Sequence, residues 1–300
     1  MRNIEFYSHQ GEKTLGCATR MNEDRLVYAH KTFAVIDGAT DRLGTDIGGL
    51  TSGAYTADYI HKTLTSLAQL PDYSDTNADL LLAGINRAFG EHLKKEHPDV
   101  VAHGFEFGPT AVAAFLKFHE DNTYSYGVVG DCFLVVLYTD GNADIVPSEE
   151  KPADIEKNRL THFMKLFHEN ASKNKKPFDN FMENEEAKAM YMAFRQNLNK
   201  NFPVINGDPG METLMHSGRQ NLENVAGFAL MTDGMIMPGL SEPEGAHMAA
   251  KKIREHGISA YGKSLHAMYN EDAQRNKYPR FKHRDDMTAL YLDLKDIQQN

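Results

Sequence analysis

The stretch that decides the fold is residues 110–138, TAVAAFLKFHEDNTYSYGVVGDCFLVVLY. It contains three apolar runs, at 110–118, 124–129 and 132–138, rich in valine, phenylalanine and tyrosine, a composition typical of strands. A polar segment separates the first two runs, and Asp140-Gly141 follows the third, as expected of hairpin connections. The stretch therefore predicts a meander of three antiparallel strands.

The residues on either side of this stretch group into further strands and helices. Short apolar runs favour strands, whereas apolar residues at helical spacing favour helices. Strands are expected at 4–8, 26–28, 33–36, 228–232 and 288–294, and helices at about 49–67, 81–93, 243–256 and 259–273. Because strands follow strands and helices follow helices, this order predicts an α+β fold with antiparallel sheets and outer helices rather than alternating βαβ units.

The segment from Pro147 to about Asn201 has a different character. Between Ser148 and Lys200 it carries ten Lys or Arg residues and nine Asp or Glu residues. Such dense charge of both signs is typical of a solvated helical face. We expect this segment to be an insertion within one domain that spans residues 1–300, because a chain of this length can bury a single large core.

Composition and charge exclude several classes of protein. The formal net charge is −10 and no long run of Lys or Arg is present, so a nucleic-acid partner is not expected. The longest apolar runs, 111–116 and 225–231, are much shorter than the roughly 20 residues of a membrane span. The first residues show no secretory signal, and the two cysteines cannot form a disulfide framework. These features predict a cytoplasmic protein without membrane or nucleic-acid partners.

Acidic residues stand where apolar strands end. Since the cysteines and histidines are not clustered, a metal site would use oxygen ligands, which Mg²⁺ and Mn²⁺ prefer. The acidic groups concerned are in Asn22-Glu23-Asp24, Asp37-Gly38, Gly130-Asp131, Asp233-Gly234 and Asp285-Asp286. Any single Asp-Gly pair is also consistent with a simple turn, and Asp140-Gly141 is interpreted only as a turn. Five acidic sites beside apolar runs together favour a metal centre, because charges beside a core need partners.

The same residues carry a resemblance to a known family. The ordered series resembles the motifs of metal-dependent Ser/Thr protein phosphatases of the 2C type, from about residue 14 to residue 294. Its members are Asn22-Glu23-Asp24, Phe33-Ala34-Val35-Ile36-Asp37-Gly38, Gly108-Pro109-Thr110-Ala111, Val129-Gly130-Asp131, Thr232-Asp233-Gly234 and Asp285-Asp286-Met287-Thr288. The resemblance implies an α-β-β-α sandwich of two antiparallel sheets with helices outside. It also implies an inserted flap subdomain, for which residues 147–222 are the counterpart.

The resemblance further implies a centre of two Mn²⁺ or Mg²⁺ ions, with a third, weaker ion in many bacterial members. Asp37 would bridge the two ions, with the Gly38 carbonyl and Glu23 completing the second ion's contacts. Asp233 and Asp285 would hold the first ion. The remaining roles are a third-ion site at Asp131 together with Asp233, and orientation of the attacking water by Asp24.

Two departures from the family pattern affect the catalytic residues. Many members carry Asp-Gly-His-Gly-Gly, with the His proposed as general acid, whereas this chain has Ala39 after Gly38. The glycine pair of that motif is expected to reappear as Gly48-Gly49.

The phosphate-binding arginine of the family is also displaced. Its usual position is occupied by Thr19, with Arg20 next to it. Arg20 is the first candidate for the substrate phosphate, Arg42 the second, and Arg25 a further alternative.

Three functions remain to be compared. The first is hydrolysis of phosphoserine or phosphothreonine in a protein by a water held between two ions. The second is a regulatory or binding module that keeps the fold but has lost turnover, as Ala39 and the displaced arginine suggest. The third, a covalent phospho-aspartate at Asp37, is disfavoured because Ala39 stands where that chemistry needs a second Asp. The retained carboxylates favour the first.

Overall fold

The computed structural model describes residues 3–11, 21–39, 46–70, 73, 75–148, 185–273, 275, 277–278 and 284–294. Within these residues, ten strands form two five-stranded antiparallel sheets. The first sheet, in spatial order, consists of β1 (Asn3–His9), β12 (Met287–Asp293), β11 (Val225–Met231), β8 (Phe133–Tyr138) and β9 (Ala143–Val146). The second consists of β10 (His216–Asn221), β7 (Thr123–Val129), β6 (Thr110–Phe118), β3 (Thr32–Ala39) and β2 (Arg25–Ala29). A separate small hairpin joins β4 (Asp46–Ile47) to β5 (Leu50–Thr51).

Helices cover the outer face of each sheet. The described helices are α1 (Ser52–Leu67), α2 (Ala78–Glu96), α3 (Glu185–Gln196), α4 (Met211–Leu214), α5 (Glu242–His256) and α6 (Ile258–Glu271). Buried residues of α1 and α2 pack on the second sheet, and those of α5 and α6 pack on the first. The layers are therefore helix, sheet, sheet, helix, which confirms the expected α-β-β-α sandwich. None of the helices in the described residues combines the length and apolar character that a membrane span requires.

Side chains that alternate between the two faces of the strands form three hydrophobic cores. In β3, Phe33 and Val35 pack between the two sheets, whereas Ala34 and Ile36 pack towards the helices. All four are fully buried. Successive side chains of a strand point to opposite faces, so a strand buried on both faces needs the continuous apolar runs that the sequence contains.

The expected three-strand meander is wrong at its second connection. β6 and β7 pair with each other as predicted, but β8 pairs with β11 and β9 in the opposite sheet. The chain changes sheets at Gly130, whose φ of 73° lies in the region that favours glycine. The turn at Asp140-Gly141 joins β8 to β9, as expected of a hairpin.

The interval predicted as a flap, 147–222, is described only in part, since residues 149–184 lie outside the described residues. Its last strand, β10, pairs with β7 and forms an edge of the second sheet. Leu198 and Phe202 are buried in the core between the sheets. The described end of this interval therefore packs on the sandwich, and a separate flap remains a prediction for the residues before it.

Candidate metal centre

One end of the second sheet carries three acidic residues from neighbouring strands. A single row across this sheet consists of Val129, Ala113, Ile36 and Arg25. Just beyond this row, on the same side, Asp37 lies near the end of β3 and Asp24 precedes β2, while Asp131 follows β7 by two residues. Strand register alone therefore brings these carboxylates to one edge.

The first sheet contributes two more carboxylates in the same way. Beyond the paired parts of β11 and β12, the Thr232 amide donates to the Thr288 carbonyl at 2.9 Å. Asp233 follows the first of these strands and Asp285 precedes the second. Because the strands are antiparallel, the two acidic residues lie at the same end of the sheet.

Two side-chain contacts join the sheets at this end. The Thr232 hydroxyl donates to Oδ2 of Asp24 at 2.9 Å. The buried carboxylate of Asp286 accepts the amides of Glu23 at 2.8 Å and Gly11 at 2.7 Å. The backbone that carries Glu23 and Asp24 is thus attached to the opposite sheet, and Asp286 acts as an anchor for it.

The first residue before helix α1 orients the Glu23 side chain. Thr51 is the N-cap of α1, and its Oγ1 accepts the Ala54 amide at 3.3 Å. The same hydroxyl donates to Oε1 of Glu23. Since the cap position is set by the helix start, α1 determines where this buried carboxylate points.

Arg25 stabilises the same segment from the side of the helix. Its Nε donates to Asp58 of α1 at 2.5 Å. Its Nη1 donates to the carbonyls of Asn22 at 2.6 Å and Asp24 at 2.8 Å. These partners occupy Arg25 in a structural role, so among the arginines considered for the substrate phosphate Arg20 and Arg42 are favoured; both lie outside the described residues.

The glycine pair expected before the first helix forms a turn. Gly48 and Gly49 form the two-residue turn between β4 and β5, with φ values of 63° and 85°, as in a type I′ hairpin. The glycine that lies against Gly38 is Gly53, in the first turn of α1. Gly48-Gly49 thus stands just before α1, where the sequence placed it, and its equivalence to the family's glycine pair stays a prediction.

Burial and the charges of neighbouring carboxylates both act on Asp37. The pKa of Asp37 is raised well above its usual range by burial, and further by the charges of Asp24, Asp233, Asp285 and Asp131. Both the removal of water and the nearness of like charges disfavour the ionised form of a carboxyl group, and so both raise its pKa. A bound cation would relieve both effects, so the electrostatics of this edge favour positive charge.

Asp24 is subject to opposing influences. Burial raises its pKa, and the charges of Asp286 and Asp285 raise it further, whereas hydrogen bonds from Thr232 and Thr288 lower it. Its Oδ2 is bound by Thr232, but its buried Oδ1 has no hydrogen-bond partner among the described residues. An unpaired buried oxygen is costly, and it fits a site whose remaining partner is a water or an ion.

The donor set fits a hard cation, although it is not a closed cage. In the described part of the chain, no three acidic, histidine or cysteine side chains converge into a ready-made metal site. Four neighbouring carboxylates nevertheless raise the pKa of Asp37. These side chains are therefore close enough to repel one another, although they are not in contact. Carboxylate and carbonyl oxygens of this kind are the ligands that Mg²⁺ and Mn²⁺ prefer, so the residues present fit the implied ions.

The structure thus brings the sequence-predicted acidic residues to one end of the sandwich. These are Glu23, Asp24, Asp37, Asp131, Asp233 and Asp285, with Gly38 beside them. Their individual metal-binding roles remain predictions. Sequence analysis missed the supporting roles of Thr51 and Asp286. Only Thr51 carried a usable signal, as a threonine directly before a helix.

Comparison with solved structures supports the fold. The sequence matches no protein-family model, and it matches no curated protein. The Mycobacterium tuberculosis serine/threonine phosphatase PstP/Ppp superposes with a TM-score of 0.54 at 15% identity, covering 97% of each chain. The catalytic domain of PstP in complex with two manganese ions gives 0.53 at 15% identity, again over 97% of each chain.

A second bacterial enzyme gives the same result. The serine/threonine phosphatase Stp1 from Staphylococcus aureus has a TM-score of 0.52 at 13% identity, covering 98% of this chain and 96% of its own. At such low identity the likeness establishes the fold. The chain therefore has, over nearly its whole length, the fold of the bacterial serine/threonine phosphatases that its motif series resembles.

Proposed function

We propose that the chain is a metal-dependent phosphoprotein phosphatase that hydrolyses phosphoserine or phosphothreonine with two Mn²⁺ or Mg²⁺ ions. The observation that carries the proposal is the meeting of acidic residues from both sheets at a place where burial, and then the charges of neighbouring carboxylates, raise the pKa of Asp37. A purely structural cluster of acids would destabilise the fold without compensation. Support also comes from the solved phosphatase structures of the same fold, one of which contains two manganese ions.

The ligand assignment follows the resemblance. Asp37 would bridge the ions, with Glu23 and the Gly38 carbonyl on one of them and Asp233 and Asp285 on the other. Asp131, with Asp233, would form the weaker third site. Bound there, two divalent ions would lower the pKa of a shared water and offset negative charge on the phosphate.

The chain's own residues then orient the reactants. Asp24 would accept a hydrogen bond from the attacking water, since Thr232 holds its other oxygen. Arg20 or Arg42 would bind the phosphate oxygens. Because Ala39 replaces the histidine that many members carry, the leaving alkoxide would take its proton from solvent. No protein nucleophile is needed.

The decisive experiment is metal-dependent turnover of the chelator-stripped protein. p-Nitrophenyl phosphate and a phosphothreonine peptide would be assayed with and without Mn²⁺, alongside Mn²⁺ binding by electron paramagnetic resonance. We expect Mn²⁺ to restore hydrolysis of both substrates. Turnover that is independent of added metal, or absent binding, would contradict the proposal. Binding without turnover would support the alternative, a regulatory module that has lost catalysis.

A further inference from the structure

A buried arginine, Arg195, lies near the end of helix α3. The Arg195 residue is only 3% exposed. Its partners among the described residues are all neutral: the carbonyls of Glu106 at 2.7 Å and Gly108 at 2.8 Å, and the hydroxyls of Thr110 at 3.2 Å and Tyr191 at 3.3 Å. Burying a charge without an opposite charge is costly. The planar guanidinium offers five donors in a fixed fork, and here it uses them on four neutral acceptors.

The backbone that Arg195 binds leads into β6, and the first residue of that strand, Thr110, is bound through its hydroxyl. Gly108 and Thr110 belong to a segment that no strand of the second sheet covers on its outer side, and the preceding turn at Phe105–Phe107 buries no residue. The guanidinium therefore links helix α3 to the turn that leads into β6 and to the first residue of that strand. The Thr110 hydroxyl also donates to the Gly108 carbonyl at 3.0 Å, so the group forms one connected network.

This network lies one strand away from the candidate ligand Gly38. Thr110 is the strand partner of Ala39, and Ala111 is the partner of Gly38. On its other side Ala111 exchanges two backbone hydrogen bonds with Ile205, at 3.0 and 2.8 Å. The start of β6 is therefore fixed between the end of β3 and residues held near α3.

The other side of Gly38 has no room to adjust. The backbone of Gly53 lies against it so closely that neither glycine could carry a Cβ without displacement. A shift of Thr110 and Ala111 would consequently move the Gly38 carbonyl along the sheet. The position of this carbonyl depends on α1 at one side and on the Arg195 network at the other.

We propose that Arg195 is a positioning residue of the candidate metal centre, holding the first residues of β6 so that the Gly38 carbonyl stays in place for a cation. The inference rests on the proposed function, because it concerns the same centre. Removal of a group that hydrogen-bonds a metal ligand directly lowers metal affinity by about ten- to a hundredfold, and for Arg195, which acts through β6, we expect the lower end of that range.

The test measures Mn²⁺ binding by electron paramagnetic resonance in wild type, Arg195→Lys and Arg195→Ala. We expect both variants to fold cooperatively and to bind Mn²⁺ about tenfold or more weakly. Lysine keeps the charge but lacks the planar fork.

Added guanidinium ion at low millimolar concentration should restore much of the Mn²⁺ affinity of Arg195→Ala, whereas added sodium chloride should not. Arg87→Lys is the matched control, because Arg87 is exposed and paired with Glu212 on the surface.

A second readout does not depend on metal or activity. Amide hydrogen exchange in the metal-free protein should be faster at residues 38–39 and 110–111 in Arg195→Lys than in wild type, with α5 and α6 unchanged. Unchanged exchange at 38–39 together with wild-type Mn²⁺ affinity would overturn the inference. If wild type itself binds no Mn²⁺, the proposed function fails, and the exchange result alone decides whether Arg195 positions Gly38.

Discussion

The backbone of Gly38 lies directly against the backbone of Gly53. A Cβ placed on Gly38 would stand 2.5 Å from the Gly53 carbonyl oxygen, and one placed on Gly53 would stand 2.6 Å from the Gly38 carbonyl carbon. These two residues join the end of β3 to the first turn of α1. The strand that carries Asp37 and the helix whose N-cap binds Glu23 are thus held in direct contact, and two sides of the candidate centre are fixed together.

We expect Gly53→Ala to lower the free energy of unfolding by about 1–3 kcal/mol, because the methyl group would force the two backbones apart. The same displacement should weaken Mn²⁺ binding. Gly84→Ala is the control, since a Cβ on this α2 glycine meets nothing within 4 Å and should raise helix stability by up to about 1 kcal/mol. Urea denaturation measures the free energy of unfolding of both variants. A Gly53→Ala protein as stable as wild type would show that the contact is loose.

The sequence predicts those parts of this centre that depend on neighbouring residues in the chain. Asp37, Asp131 and Asp233 each come after an apolar run in the sequence, so their place near the ends of strands was readable from the chain itself. Antiparallel pairing then brings such ends together without further information. The change of sheet between β7 and β8 was not readable, because Gly130 and Asp131 between apolar runs equally suit a hairpin.

The supporting contacts needed the three-dimensional structure. Glu23 and Asp286 are separated by 263 positions in the sequence. No pattern in a single sequence predicts a hydrogen bond between an amide and a carboxylate that are so far apart along the chain. Arg195 likewise stands in a charged segment that the sequence assigned to a solvated face. Its burial depends on where the segment folds back onto β6, which is a property of packing rather than of composition.

The hydroxyl of Thr51 should matter for metal binding as well as for α1. Thr51→Val removes the N-cap, at a cost of about 1 kcal/mol, and also removes the hydrogen bond to Glu23. We expect Mn²⁺ affinity to fall by about tenfold, as for other residues that orient a ligand. Thr51→Ser keeps the hydroxyl and should bind as wild type does. Equal Mn²⁺ affinity in the Val and Ser variants would mean that Glu23 is oriented by other groups.

Lys117 should make stability depend on pH far from the metal centre. Its ammonium donates to the carbonyls of Tyr73 and Thr76 and lies 4.1 Å from the centre of the Tyr73 ring. Burial lowers the pKa of Lys117 to about 8. Between that pH and the unfolded value of about 10.4, the unfolded chain binds more protons, so this group's contribution to stability rises as pH increases.

The comparison that isolates this effect is Lys117→Met. The free energy of unfolding of wild type minus that of Lys117→Met should increase from pH 7 to pH 9.5, measured by urea denaturation with circular dichroism. Lys62→Met, at an exposed position of α1, makes the same substitution on the surface and is the matched control. A pH-independent difference for Lys117→Met would indicate that the amine keeps an ordinary pKa.

Asp233 provides the most direct test of the ligand assignment, since asparagine has the same shape without the charge. The charge of Asp233 raises the pKa of Asp37, so Asp233→Asn removes a repulsion, and the metal-free protein should be at least as stable as wild type. Mn²⁺-dependent hydrolysis of p-nitrophenyl phosphate should nevertheless be lost. Asp140→Asn changes another Asp-Gly pair, one that only forms the β8–β9 turn, and should keep full activity. In Asp233→Asn, activity would then be lost while stability is kept or raised, which a simple folding defect cannot produce. Near-normal turnover of this variant would refute the assignment.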